Sequence, residues 1–309
     1  MPRWLTYALL ATVLWGIWGT VSALVSREAS PLVTQVIATV GAVPASLLLL
    51  LSPNWKQGTN FKLGILFAAL TGFCANTGNL CLLRAFRLEG PVSIVLPVSS
   101  LYPLITALLA MLFLRERLNR IQAVGFAMAL IAIYIVGMAT PGAPASEGQH
   151  DLRVAALTTP WMLWTFGALV LFGATCFFQK IATFHFSNEL CTIVFSLVTI
   201  PIAGAILLFG PDLSFKLSGK VWLLSLLFGA LIGIGSLAQF AAYRWGNGSV
   251  VTALTGLYPA ITVLLAVPLL NEKLDALRLT AVVVALAAGV ALSYEPGQTS
   301  TIEADVSSV

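Results

Sequence analysis

The sequence predicts an all-α membrane protein in which ten transmembrane helices form two inverted five-helix repeats. Three observations carry this: an apolar composition, ten windows long enough to cross a bilayer, and a second half that repeats the first. Hydrophobic residues fill 59% of the 309 positions, charged residues only 9%, and the mean hydropathy is +0.95. Soluble domains carry roughly 25% charged residues, so a water-facing surface cannot be built from this chain. The formal net charge of +4 is spread along the polar breaks, with no basic run, zinc-ligand cluster or aromatic platform for nucleic acid. The lipid bilayer is the expected surrounding, and no nucleic-acid partner, cofactor or metal is expected.

A hydrocarbon core of about 30 Å needs roughly 20 apolar residues in helical form, and lipid leaves backbone amides no other partner. The windows lie at 4–25, 33–52, 63–83, 92–113, 121–139, 161–180, 190–210, 220–241, 249–270 and 276–294. The first follows the short start Met1-Pro2-Arg3 and is long for a signal-peptide core, so it reads as a retained span. Only Lys180, Lys220 and Arg278 bring charge to a window, each at or near an end. Turn residues punctuate the breaks, as in Ser52-Pro53-Asn54, Gly210-Pro211-Asp212 and Asn271-Glu272-Lys273. The four cysteines, Cys74, Cys81, Cys176 and Cys191, sit in apolar windows and read as small hydrophobes. The longest polar interval, 141–160, links a first unit at 1–140 to a second at 161–294; the polar tail at 295–309 is expected to be disordered.

The halves align residue by residue. At a spacing of 157, Trp15-Gly16 matches Phe172-Gly173, Pro44 matches Pro201, Gly72 matches Gly229, and Ala85-Phe86-Arg87 matches Ala242-Tyr243-Arg244. After a one-residue gap the spacing is 156, pairing Gly90, Ser93, Leu101-Tyr102-Pro103, Ile105-Thr106, Glu116 and Leu118 with Gly246, Ser249, Leu257-Tyr258-Pro259, Ile261-Thr262, Glu272 and Leu274. Five is odd, so two sequential five-helix units must face opposite ways. Inverted repeats of this kind carry a substrate site near the midplane, between the units. Loop Lys and Arg tie at eight a side, but the first half favours an internal N-terminus by six to three. Both termini are therefore expected on the cytoplasmic side of the cell (inner or plasma) membrane.

The paired segments Gly90-Pro91-Val92-Ser93, Leu101-Tyr102-Pro103 and Arg115-Glu116-Arg117-Leu118, with Gly246, Ser249, Leu257-Tyr258-Pro259 and Asn271-Glu272-Lys273-Leu274, resemble the drug/metabolite transporter superfamily, EamA type. The resemblance spans residues 4–294 and implies ten helices around a central cavity. It also implies that the fifth and tenth helices lie at the periphery, at a homodimer contact, and that the activity is export or exchange of a small-molecule substrate such as an amino acid. Small multidrug exporters of the same superfamily use a membrane-embedded Glu in their first helix. Here the first and sixth windows carry no carboxylate, which argues against proton-coupled export of cationic drugs.

Transport needs polar groups at depth, small residues and helix breaks. In the first window Trp15 and Trp18 stand beside Gly16, Gly19, Thr20 and Ala23; in the third, Gly72, Asn76 and Asn79 share one stripe. The eighth offers Gly229, Gly233 and Ser236, then Gln239 and Tyr243; the second, Gln35, Thr39, Ala42 and Ser46; the seventh, Thr192, Ser196 and Thr199. Such residues also serve as packing glue between membrane helices, and both readings stand. Pro103 and Pro259 should kink the fourth and ninth helices and free the carbonyls of Ser99 and Thr255. Tyr102 and Tyr258 then make these two segments the first choice for a central site. Lys180, next to Gln179, is either a snorkelling interfacial cation or a cavity cation for an anionic solute. Arg87 and Arg244 read as helix-end anchors, and Glu116 and Glu272 as pairs or caps at the starts of the fifth and tenth helices.

The expected substrate-binding set is thus Trp15, Asn76, Asn79, Ser99, Tyr102, Gln179, Lys180, Gln239, Tyr243, Thr255 and Tyr258. No Asp, Glu or His lies inside a window, so facilitated diffusion or exchange is expected rather than a carboxylate proton relay. His150 and His185 both fall in loops and no paired carboxylates occur at depth, so no enzyme activity is expected. A carrier of small polar or zwitterionic solutes is the leading reading; a carrier of anions using Lys180, or a non-transporting sensor or scaffold, is the alternative.

Overall fold

The structure, a computed structural model, describes residues 2–113, 119–139, 159–211, 213–245, 251, 254–271, 275–292 and 294. Most of the linker, the tail, Glu116 and Glu272 lie outside the described residues, as do the side chains of Lys180, Tyr243 and Arg244. The first half holds α1 (Arg3–Glu28), α2 (Pro31–Leu47), α3 (Phe61–Arg87), α4 (Val92–Ser99), α5 (Tyr102–Phe113) and α6 (Arg120–Ala139). The second holds α7 (Pro160–Thr183), α8 (Asn188–Leu197), α9 (Thr199–Phe209), α10 (Gly219–Trp245), α11 (Tyr258–Leu270) and α12 (Ala276–Leu292). Among the described residues, seven stretches are long and apolar enough to cross a membrane, including Arg3–Glu28, Phe61–Arg87 and Val92–Phe113; Arg120–Ile135, Tyr258–Leu270 and Ala276–Leu292 are shorter apolar helices.

Local chemistry explains most helix ends. Ser30 accepts from the Val33 amide at 3.3 Å with Pro31 opening α2, and Asn60 and Ser187 cap α3 and α8 in the same way. The α6 start is a reciprocal box: the Gln122 amide donates to Asn119 Oδ1 at 2.9 Å, and the Asn119 amide to Gln122 Oε1 at 3.1 Å. Asp275, the counterpart of Asn119, accepts from the Arg278 amide at 2.7 Å. Asn119 and Asp275 therefore cap these first turns. The end of α3 is closed by the Gly90 amide on Ala85 O and the Glu89 amide on Phe86 O, with Glu89 left-handed at φ 64°.

The prolines act more sharply than a kink. Tyr102-Pro103 and Tyr258-Pro259 open new helices, α5 and α11, after turns at Ser100-Leu101 and Gly256-Leu257. A proline in the first helical turn lacks only an amide that would have had no partner there. The seventh window also breaks, at Val198 between α8 and α9, with Pro201 three residues on. Its counterpart Pro44 stays inside α2, which ends in a 3-10 turn over Leu48–Leu51.

Packing repeats across the halves. The α1 helix packs on α10 and α11, as α7 packs on α3 and α5; α2 meets α10, as α8 meets α3; α6 and α12 pack on each other. Glycines permit these approaches. A Cβ at Gly16 would stand 2.6 Å from Ile261 Cβ and 3.3 Å from Tyr258 O. At Gly173 it would strike Ile105 Cβ and stand 2.9 Å from Tyr102 O. Gly72 likewise lies against Phe195 O, and Gly229 against Ala38 O.

Candidate functional site

Two polar groupings form inside the bundle. The first lies where the broken helices meet the intact ones. Thr262 donates to Gly16 O at 2.8 Å, and its counterpart Thr106 to Gly173 O at 3.0 Å. The Tyr258 phenol lies beside the Ser99 hydroxyl, and Ser99 donates to Leu96 O at 3.0 Å. Both residues are buried. Beside them Trp18 stands edge-on to Trp15 at 5.8 Å and to Tyr258 at 6.3 Å, and stacks on Phe228 at 5.8 Å. Its indole N–H is buried without a partner.

Symmetry fails at the Trp15–Gln239 pair. The Trp15 indole donates to Gln239 Oε1 at 3.0 Å, and its ring lies over Gly235. In the other half Phe172 lies over Gly78 in the same way, but Phe172 has no donor and Leu82, at the Gln239 place, no acceptor. The backbone contact is duplicated and the hydrogen bond is not.

The second grouping joins α2, α3, α8 and α9. A cavity of about 10 Å³, room for one water-sized group, is lined by Gln35, Thr39, Asn76, Asn79, Ser196 and Thr199 with Ala38, Ala42, Phe195 and Ile232. Gln35 Nε2 donates to Asn76 Oδ1 at 2.6 Å, and Asn76 Nδ2 to Gly72 O at 2.7 Å. Ser46 and Ser196 join their hydroxyls across α2 and α8.

Of the expected site residues, the structure thus brings Asn76 and Asn79 to one cavity, pairs Trp15 with Gln239 and sets Ser99 beside Tyr258. Tyr102 and Thr255 stand at the two breaks without forming part of either pair or of the cavity. Gln179 is half-buried on α7, away from that cavity. Gln35, Thr39, Ser196 and Thr199 were visible as polar residues at depth; only their convergence with Asn76 and Asn79 across four helices was not. Arg87 donates to Arg27 O at 2.7 Å and Ser26 O at 3.3 Å, so it closes the C-terminal end of α1.

The ends of the bundle are joined by different devices. At one end the 57–60 and 185–187 loops pair, the Thr59 amide on His185 O at 2.7 Å and the Ser187 amide on Gln57 O at 2.9 Å. At the other, Lys220 Nζ meets Glu28 Oε1 at 3.4 Å.

Apolar spans, matched halves and polar groups gathered inside the bundle define a multi-pass membrane protein. The chain belongs to the EamA-like transporter family, whose model matches residues 2–138 and 159–294, and is therefore a membrane transporter. It is similar to an uncharacterized protein of Methanocaldococcus jannaschii, 31% identical over 130 residues, which are 42% of this chain and 93% of that one. That relative is about the length of a single matched segment. A solved crystal structure has the same fold, with a TM-score of 0.61 and 19% identity over 93% of this chain and 96% of the other.

Proposed function

We propose that this transporter is a secondary carrier of ten spans, built as two inverted five-helix repeats, that moves a small polar or zwitterionic solute by alternating access. The units are 1–140 and 161–294, and the solute sits near the midplane between them. The observation that supports this reading is the doubled contact at the helix breaks, Thr262 on Gly16 O and Thr106 on Gly173 O. A pair of matched hinges, each anchored to a close-packed glycine, suits a protein whose halves exchange conformations. Trp15, Asn76, Asn79, Ser99, Gln239 and Tyr258 face the solute at some stage of the cycle, which is export or exchange. The protein resides in the cell membrane with both termini cytoplasmic, and a homodimer through the fifth and tenth spans belongs to the same reading.

With no carboxylate or histidine in any window, exchange needs no imposed proton gradient. The test is counterflow in proteoliposomes with labelled amino acids, sugars, organic acids and nucleosides. Saturable counterflow of one class, unchanged by a proton gradient, is expected. Ion conductance at channel rates, or no counterflow with any class, contradicts the carrier reading, and gradient-dependent uptake contradicts the coupling.

A further inference from the structure

The small cavity between α2, α3, α8 and α9 has a hydrogen-bond polarity that can be worked out from its partners. The Gly72 carbonyl can only accept, so Asn76 must turn Nδ2 toward it, at 2.7 Å. Asn76 Oδ1 then faces Gln35, which must answer with Nε2, at 2.6 Å. Gln35 is only 2% exposed, and its remaining atom, Oε1, has no partner. The hydroxyls follow the same sense. Thr39 gives its proton to Gln35 O at 3.0 Å and Thr199 gives its own to Ser196 O at 2.6 Å. Ser46 donates to Ala42 O at 3.3 Å, so Ser196 supplies the proton in the Ser46–Ser196 contact. Each hydroxyl holds one proton, and here all four are committed.

The hydroxyl oxygens and Gln35 Oε1 therefore bring lone pairs to this grouping, and its donors are the second N–H bonds of the Gln35 and Asn76 amides together with the Asn79 amide. Counting helical rise from each span's middle, these residues lie within roughly 10 Å of the membrane centre, where an acceptor left without a donor is costly. Room for one heavy atom, beside a buried acceptor that has no donor and hydroxyl oxygens whose protons are already committed, suits a group with several N–H bonds and no lone pair. A carboxylate or phosphate brings acceptors only and leaves Gln35 Oε1 without a donor. Water brings two hydrogens to these acceptors, and a primary ammonium group brings three.

We propose that this cavity is the socket for a primary ammonium group of the transported solute, with Gln35 Oε1, Thr39 Oγ1 and Thr199 Oγ1 accepting its hydrogens. The proposal rests on the carrier reading. It assigns the charge that the solute must carry at this end, and makes Gln35 the residue that selects it.

The test measures thermal stabilisation of the purified full-length protein by propylammonium, tetramethylammonium and propionate at matched ionic strength. Propylammonium alone should stabilise. Gln35→Leu, and independently the near-isosteric Thr39→Val, should each weaken that binding by roughly 10-fold or more, the usual worth of one hydrogen bond to a charged group. Gln35→Glu, which keeps the acceptor and adds charge, should tighten it. Equal effects of all three probes, no effect of propylammonium, or an effect unchanged in both weakening variants overturns the socket. Counterflow separates the two readings. A solute without an amine that exchanges normally sinks the socket and leaves the carrier; propylammonium binding with no counterflow of any solute does the reverse.

Discussion

Replacing Gly16 with alanine sets two opposed effects against each other. Alanine in a helix interior is favoured over glycine by about 1 kcal/mol, so propensity alone makes the variant more stable. The added Cβ, however, would lie 2.6 Å from both Cβ and Cγ2 of Ile261, against the 3.5–4.0 Å of ordinary carbon contact. Ile261 is β-branched and stiff at χ1, and its Cβ cannot swing away without moving α11. Overpacking of this kind costs roughly 1–3 kcal/mol, so Gly16→Ala should lose about 1 kcal/mol net. Gly173→Ala, facing Ile105, should lose a similar amount. Equilibrium unfolding in mixed micelles reads both. In a double-mutant cycle, Gly16→Ala in an Ile261→Ala background should become neutral or stabilising, because the clash is gone and the propensity remains. Stabilisation by either single variant, or a large mismatch between the twins, would refute the claim that the halves share one packing solution.

Other consequences can be checked on the same preparation. Gln239→Leu should cost about 1–2 kcal/mol because it leaves the Trp15 indole without its acceptor. Adding Trp15→Phe, which reproduces Phe172 and Leu82 of the other half, should recover most of that loss while counterflow falls at least about tenfold, as expected if this polar pair meets the solute. Glu89→Gly should stabilise by about 1 kcal/mol, since a non-glycine residue at φ 64° carries a steric cost. Glu28→Gln should change unfolding free energy by under about 0.5 kcal/mol, because the Lys220–Glu28 pair is well exposed on both sides.

The helical segments follow the apolar windows closely: Val92–Phe113 ends where the window at 92–113 ends, and Arg3–Glu28 overruns its window by a few residues. Hydropathy identifies such segments because the bilayer demands both length and backbone satisfaction. The internal repeat carried further. Matching Gly16 with Gly173 and Ile261 with Ile105 marked positions that then made the same contact twice. Partners were not legible. Nothing local ties Trp15 to Gln239 or Gln35 to Asn76, since both pairings depend on which helices become neighbours. The α6 cap was legible, since Asn119-Arg120-Ile121-Gln122 is a capping-box pattern; Glu116 and Glu272, read as pairs or caps over the same turns, lie outside the described residues. The break at Val198 had no proline at the break itself, and Pro44 in the same repeat position does not break α2.

The central claim is that the two halves open the solute site to alternate sides. Spin-label pairs at residues 28 and 220, and at residues 58 and 186, report on the two ends joined by the Glu28–Lys220 pair and by the Gly58–Phe186 bridge. Electron–electron distances should be measured in nanodiscs with and without the solute that counterflows. The account predicts two populations in each distribution, changing in opposite directions: conditions that lengthen one pair shorten the other. Both ends lengthening together, as in a pore, or neither moving under turnover conditions, would contradict it.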